Sequence, residues 1–501
     1  MLQPFLTMLA VFSAAYIALL FLAHRGQVAH SDRLTEFFVA GRGLGLWSAI
    51  ATLGATEIGL ITIAYNAQKG FNTGFAVFHI GIAAFVGCLL VGLTGFIVSP
   101  LRKTGVLTIP EFYEQRYGRD VRVIGALVMA LGGILNMGLF LKVASTFIVA
   151  MLAPAGVDIG INAVMVSLIA VAVSYTCFGG MRSVVVTDII QFILLAIGLL
   201  VAVFFAMSIV PAGQAIDIVS SKMGSAGFNP FEEKSFGPAY VLWMVFVAGV
   251  VSSAIWPTAL TRALLIKRQE DVAKTYLISS VIFMGRMILP AFLGVLAYAY
   301  FNGAGAEELP ALASKYGDDF DLAAMPAFLG IIFPAWLLAA MSVAMFASFM
   351  STQDSYLFCW ASVLARDVYA VLRGRTHDAD AQINVTRIVI VLIALYELYW
   401  GLIYEGKEDI WDYLAVSGSI YFCSGTVLLA GGLYWKGASW WGALLALFFG
   451  FSALLGLSPV KAALGLDAVS APAIGFISIA LSALGFVIGS LLETSLQARR
   501  A

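Results

Sequence analysis

At 501 residues, 61% hydrophobic and only 11% charged, the chain lacks the polar surface of a soluble protein, in which about a quarter of residues are charged. A net charge of −1 and the absence of any basic tract offer nothing to nucleic acid. A mean hydropathy of +0.95 leaves an all-α polytopic membrane protein with the lipid bilayer as its surroundings.

Apolar runs of span length fall at 5–23, 45–67, 73–99, 123–153, 159–178, 183–211, 237–261, 276–301, 333–365, 381–403, 410–434, 439–457 and 470–493, which predicts about 13 spans. The first run follows no basic segment and reads as a retained helix rather than a cleaved signal peptide. Four cysteines (Cys88, Cys177, Cys359 and Cys423) are scattered through apolar runs and suggest neither disulfides nor a metal motif. Charge sets the orientation. With the N-terminus outside, 20 of the 28 Lys and Arg residues, Arg33, Arg262 and Arg373 among them, fall in inner loops or span ends. Only six (Lys69, Lys222, Lys234, Lys315, Lys407 and Lys461) fall outside, and Lys142 and Arg286 lie within spans. That asymmetry predicts a cell-membrane protein with a cytoplasmic C-terminus.

Between spans, Thr108-Ile-Pro-Glu-Phe112 predicts a short helix with proline near its start. The outer loops 212–236 and 302–332 predict short amphipathic helices. No loop is long enough for a soluble domain, and no obligate protein partner is implied. Without a Walker-type phosphate loop, the sequence offers no support for ATP-driven transport by this chain alone.

Two spans read as interrupted. The second contains Gly54-Ala-Thr-Glu-Ile-Gly59, and the seventh contains Ala248-Gly249, Ser252-Ser253 and Trp256-Pro257. Glycine, serine and proline free backbone groups at depth, where they can face a ligand. The breaks open two successive five-span sets, 45–211 and 237–434. Residues 1–44 form a leading helix and inner loop, and 439–501 two trailing helices, within one transporter domain over 1–501. Breaks at matching positions are the signature of an inverted-repeat transporter of the LeuT type.

The stretch Ala347–Tyr356 lies inside the apolar run 333–365 yet places Ser348, Ser351, Thr352 and Ser355 on one helical face, with Asp354 at its edge. Hydroxyls and a carboxylate at mid-bilayer depth are costly and call for a hydrophilic partner. Hard cations take such oxygens. The competing reading is that the hydroxyls bond back to carbonyls one turn earlier, or join helices.

Four motifs in order resemble the sodium/solute symporter family: Phe37-Phe-Val-Ala-Gly-Arg-Gly-Leu-Gly45, Leu107-Thr-Ile-Pro-Glu-Phe-Tyr-Glu-Gln-Arg-Tyr117, Phe178-Gly-Gly-Met-Arg-Ser-Val-Val-Val-Thr-Asp-Ile-Ile-Gln191 and Met350-Ser-Thr-Gln-Asp-Ser355. The resemblance runs from about residue 5 to 457. It implies a LeuT-type fold with an extra leading helix and import of a small solute driven by Na+. It places a first sodium ion on the carbonyls of Ala55, Ile58 and Ser348 and the hydroxyls of Ser351 and Thr352. For a second cation it implies Asp188 with Ser355, and Asp354 stands where some members have a hydroxyl. The competing role for Asp188 is an anchor paired with a basic residue of the inner loops.

The residues singled out for substrate are Glu57, Thr62, Gly249, Ser253 and Arg286, at positions the resemblance marks, and His79, the only histidine within a span. Glu57 is read as an ion or substrate group, or as a buried hydrogen-bonded acid. His79 is a substrate or proton group, or packing. Arg286 suits a carboxylate, or pairs with Glu57 or another acid. Thr62 and Gly81 stand where sugar transporters carry glutamine and glutamate, which disfavours a sugar. The expected function is thus a sodium-coupled symporter of a small polar organic solute, a carboxylate or an amino acid. The alternatives are proton coupling through Glu57, Asp354 or His79, and a transporter-like membrane sensor; the absence of a kinase-like domain before Ala501 counts against the latter.

Overall fold

A computed structural model describes residues 2–25, 37–38, 40–403, 410–466 and 468–500. Arg33 and Lys407, counted above for orientation, lie outside these residues. Among the described residues every regular element is helical, and the one strand-like contact is an isolated parallel bridge between Leu44 and Ile266. Ten helices are long and apolar enough to cross a membrane, and shorter apolar helices cover Ile161–Ser174 and Trp440–Gly456.

Helix α1 (Leu2–Arg25) is the leading helix. The second span is broken as expected: α2 (Leu46–Glu57) stops at Ile58, and α3 (Leu60–Thr73) restarts after the extended Gly59. Then come α4 (Phe78–Thr94), α5 (Arg119–Met137) and α6 (Phe140–Leu152). The short helix Ile109–Tyr117 precedes α5. Thr108 caps it by accepting from the Glu111 amide at 3.2 Å, while the Glu111 carboxylate accepts from the Leu107 amide at 2.8 Å, a reciprocal capping box.

The spans expected at 159–178 and 183–211 form one helical element, α7 (Ile161–Ile209). Its contacts nevertheless run in opposed directions. Met165 meets Gly401, and Cys177 accepts from Arg387 Nε at 2.9 Å, so the first arm runs antiparallel to 387–401. Asp188 then meets Ser351, and the Phe205 ring lies 5.4 Å from that of Phe333. The second arm therefore returns toward the level at which the first began. The chain reverses between Cys177 and Asp188, where the sequence leaves the gap between two spans.

The seventh span is interrupted too. Helix α8 (Pro238–Trp243) passes into a π-helical stretch at Met244–Val251, then α9 (Ser252–Ile255). Trp256 breaks the chain with ψ 123°, and Pro257 opens α10 (Pro257–Leu265). Proline suits this first helical position because it has no amide to leave unpaired. The rest is α11 (Gln269–Phe301), α12 (Phe320–Ile332), α13 (Ala335–Val363), α14 (Ala379–Ile403), α15 (Ile410–Tyr434), α16 (Trp440–Gly450) and α17 (Ala471–Arg500). The loops 212–236 and 302–332 carry Ala212–Met223 and Leu309–Tyr316, the short helices expected there.

In lipid, helices associate by close packing rather than by the hydrophobic effect. Around the broken span α3 and α11 pack almost backbone to backbone. A Cβ at Gly70 would sit 2.0 Å from the Ala291 carbonyl oxygen, and one at Gly294 would sit 2.0 Å from that of Ala67. Packing this close fixes the break against its neighbours. At the other end of the bundle, the Leu44 amide donates to the Leu265 carbonyl at 3.2 Å and the Lys267 amide to the Leu44 carbonyl at 2.9 Å. Arg102 Nη2 donates to the Ile266 carbonyl at 2.9 Å, closing that end around the tip of α10.

Candidate functional site

The hydroxyl face of α13 meets the break between α2 and α3. Ser348 Oγ donates to the Ile58 carbonyl at 2.9 Å, and Thr352 Oγ1 to the Thr56 carbonyl at 3.2 Å. The Ala55 carbonyl, one turn back, accepts from the Ile58 amide at 3.2 Å. All of these side chains are buried. Gly59 is what allows the approach, because a Cβ there would lie 2.1 Å from Thr352 Oγ1. Carbonyl and hydroxyl oxygens thus converge at one level without an aspartate or glutamate among them. A monovalent hard cation suits such a site, because nothing in it demands a second positive charge.

Next to it lies a second cluster. Ser351 Oγ donates to Asp188 Oδ1 at 2.7 Å, and Thr52 and Thr56 hydroxyls reach Asp188 Oδ2 at 2.5 and 3.3 Å. The guanidinium of Arg262, 1% exposed on α10, fills the space beside them. Its Nη2 donates to Ser355 Oγ at 2.7 Å and lies 3.3 Å from Asp188 Oδ2, and its Nε donates to Thr52 Oγ1 at 3.2 Å. Two of the three residues expected to hold a second cation, Asp188 and Ser355, are therefore engaged by a cationic side chain. The third, Asp354, is fully buried, and neither of its carboxylate oxygens makes a hydrogen bond of good geometry among the described residues.

On the far side of the break, a cavity of about 120 Å³ is bordered by Glu57, Thr62, Tyr65, Asn136, Phe140, Trp243, Ser252, Trp256, Arg286, Tyr356 and Phe422, among others. Glu57 and Arg286 face each other there. Arg286 Nη1 lies 3.2 Å from Glu57 Oε2 and donates to the Glu57 carbonyl at 2.6 Å, while Thr258 Oγ1 donates to Glu57 Oε1 at 2.7 Å. Arg286 also lies 4.0 Å over the Phe283 ring, and its Nε is buried without a hydrogen-bond partner among the described residues.

A family model described as Sodium:solute symporter family matches residues 37–450. The chain belongs to this family. The symporter is 24% identical over 468 residues to the mouse sodium/glucose cotransporter 1, covering 88% of this chain and 68% of that protein. It is 24% identical over 451 residues to the high-affinity proline transporter PutP of Bacillus subtilis (strain 168), covering 85% and 87%. Its fold matches a sodium-coupled sialic acid symporter in a substrate-bound outward-open state with TM-score 0.77 at 17% identity, over 98% and 97% of the two chains. A nucleobase-cation-symport-1 transporter in a closed conformation matches with TM-score 0.56 at 14% identity, over 92% and 95%. The LeuT-type fold and a multi-pass sodium-coupled transporter are thereby established.

In the symporter, three of the six residues singled out for substrate (Glu57, Thr62 and Arg286) border the cavity. The other three do not. His79 packs against Phe236 with ring centroids 4.6 Å apart, and its Nδ1 lies 2.7 Å from the Ala76 carbonyl. Gly249 is pressed onto α4, where a Cβ would lie 2.7 Å from the Ala83 carbonyl oxygen. Ser253 is buried one position off the face that Ser252 presents. The π-helical stretch inserts an extra residue ahead of this face, and no residue pattern announced that rotation. The rings of Tyr65, Phe140, Trp243, Tyr356 and Phe422 come from five separate helices and that of Trp256 from the break, so no local spacing could group them. Trp256, which the sequence marks only as part of the break, borders the cavity and donates from Nε1 to Tyr356 Oη at 2.8 Å.

Proposed function

We propose that this protein is a sodium-coupled symporter that imports a small polar organic solute, a carboxylate or an amino acid, by alternating access. The observation that carries this reading is the convergence of Ser348 and Thr352 on the Ile58 and Thr56 carbonyls of the break, with Ser351 beside them on Asp188. Sodium bound there ties α13 to α2 and α3, and so favours the state in which the cavity is formed. Solute in the cavity touches the other face of the same break, so each ligand raises the affinity for the other, as symport requires.

The cavity supports the solute class. Arg286 spends Nη1 on Glu57 and keeps Nε unpartnered, and a guanidinium edge suits a carboxylate. The surrounding rings suit an apolar body or an ammonium group. We further propose a second cation at Asp354, beside the Asp188–Arg262 pair. Two buried carboxylates with one guanidinium leave one negative charge uncompensated, and an isolated buried charge costs several kcal/mol. The membrane orientation proposed from the charge count puts the N-terminus outside and the C-terminus in the cytoplasm.

Uptake of a panel of labelled amino acids, carboxylates and sugars into proteoliposomes tests the coupling, with sodium, potassium and proton gradients imposed separately. A carboxylate or amino acid accumulates under the sodium gradient alone. Accumulation under a proton gradient without sodium, or of sugars alone, overturns this reading.

A further inference from the structure

The sodium helix bears a second buried acid contact, to which neither cation proposal assigns a role. Glu397 on α14 and Gln353 on α13 are both fully buried, and they meet through a single hydrogen bond, from Gln353 Nε2 to Glu397 Oε2 at 2.6 Å. The two remaining oxygens of this pair, Oε1 of Gln353 and Oε1 of Glu397, are both buried and both without a partner. An amide and a carboxylic acid satisfy each other fully when they pair as a ring, with their other two atoms also joined. If both are bare oxygens the contact is repulsive and two buried acceptors go unsatisfied, which is costly. One proton on Glu397 Oε1, donated to Gln353 Oε1, satisfies both at once.

No cation takes that place. Among the described residues Glu397 forms no ion pair, and the charged groups on the elements packed against α14 are engaged elsewhere. Asp188 on α7 meets Arg262, and Lys142 on α6 lies 3.8 Å from Asp319. In the π-helical stretch Leu364–Tyr369, Asp367 meets Arg122 at 2.6 Å and Arg366 lies over the Phe38 ring. Asp354, next to Gln353 on α13, is a further acid, and Tyr396 is the titratable neighbour on α14 itself. An ionised carboxylate in this contact would face a bilayer-depth environment with one amide for a partner, which is expensive.

We propose that Glu397 is a proton-binding site: a neutral acid that shares its proton with Gln353 and locks α14 to the sodium helix α13. Water reaches the contact only when the two helices part, so proton occupancy is tied to the position of the sodium helix. Glu397→Gln preserves the shape, with a second amide in place of the acid, and removes the proton.

Infrared spectra of the full chain in lipid nanodiscs, with ¹³C-labelled glutamate, test this without any solute. The wild type shows a protonated-acid carbonyl band that is lost in Glu397→Gln, and the band moves toward the free-acid position in Gln353→Met, which keeps the bulk and withdraws the acceptor. Thermal unfolding adds a second readout. A proton held by the folded state but not by the unfolded chain contributes stability at low pH, which is lost as pH rises above the ordinary glutamate range near about 4.3. The wild type follows this slope and Glu397→Gln flattens it. Absence of the band in the wild type, or a band left unmoved in Gln353→Met, overturns the proposal, as does an identical pH slope in the wild type and Glu397→Gln. Sodium-driven uptake is measured separately, so neither result depends on the coupling reading.

Discussion

At the scale of single residues, the hydroxyl face we propose for sodium is legible in the sequence, whereas the basic partner of Asp188 is legible only as one of the inner charges. Ser348, Ser351, Thr352 and Ser355 share a face through helical periodicity alone, and periodicity is a local property. Arg262 lies 74 positions from Asp188 and joins it only through tertiary packing. In the sequence it counted as an inner-loop charge, although it sits inside the apolar run Ala259-Leu-Thr-Arg-Ala-Leu-Leu265, a signal for a buried partner that a charge count discards. These roles predict different losses. Ser351→Ala and Thr352→Ala each remove an oxygen offered to the ion, a contact worth about 1.5–3 kcal/mol, so half-maximal uptake should need roughly 10- to 100-fold more sodium. Unchanged sodium dependence in both variants would remove the first site. Asp354→Asn bears on the second cation instead. Reversal potentials in proteoliposomes should fall from two cations per solute in the wild type to one in this variant, and a wild-type ratio of one would leave Asp354 a structural role.

At the scale of elements, the breaks were readable because glycine and proline punctuate a chain wherever they occur. Gly59 and Pro257 fall at the ends of α2 and α9, as the sequence reading required. The π-helical stretch Met244–Val251 and the helical continuity of α7 were not readable, because both depend on what packs around them. The first break yields a sharp steric test. Gly59 has φ −82°, which any residue can adopt, so only space is at issue there. In Gly59→Ala the new methyl group enters the position of Thr352 Oγ1, 2.1 Å away, and overpacking of this kind costs about 1–3 kcal/mol. Thr352 must turn away from the Thr56 carbonyl, so sodium-dependent uptake should collapse while the protein still inserts and stays folded. Gly45→Ala, with nothing within 4 Å of its new Cβ, is the control and should transport like the wild type. Equal sodium dependence in Gly59→Ala and Gly45→Ala would show that the break does not set the site.

At the scale of the whole molecule, orientation follows from charge and from the path of α7 together. Twenty basic residues on one side against six on the other favour a cytoplasmic C-terminus, but the count holds only if every span crosses as assumed. One helical element at 161–209 could have reversed everything after it by crossing once. Its two arms instead lie antiparallel, Met165 near Gly401, Cys177 near Arg387 and Phe205 back beside Phe333, so the parity of the count survives. The orientation we propose puts the bridge between Leu44 and Ile266, with Arg102 on the Ile266 carbonyl, on the cytoplasmic side, and Lys234 and Lys315 outside. Cysteines introduced one at a time as Lys234→Cys, Lys315→Cys and Arg373→Cys, with Cys88, Cys177, Cys359 and Cys423 replaced by alanine, make this testable. In intact cells an impermeant thiol reagent should label the first two variants and leave Arg373→Cys unlabelled until the membrane is opened. Labelling of Arg373→Cys in sealed cells, with Lys234→Cys and Lys315→Cys protected, would invert the molecule and place the Leu44–Ile266 closure on the outer face.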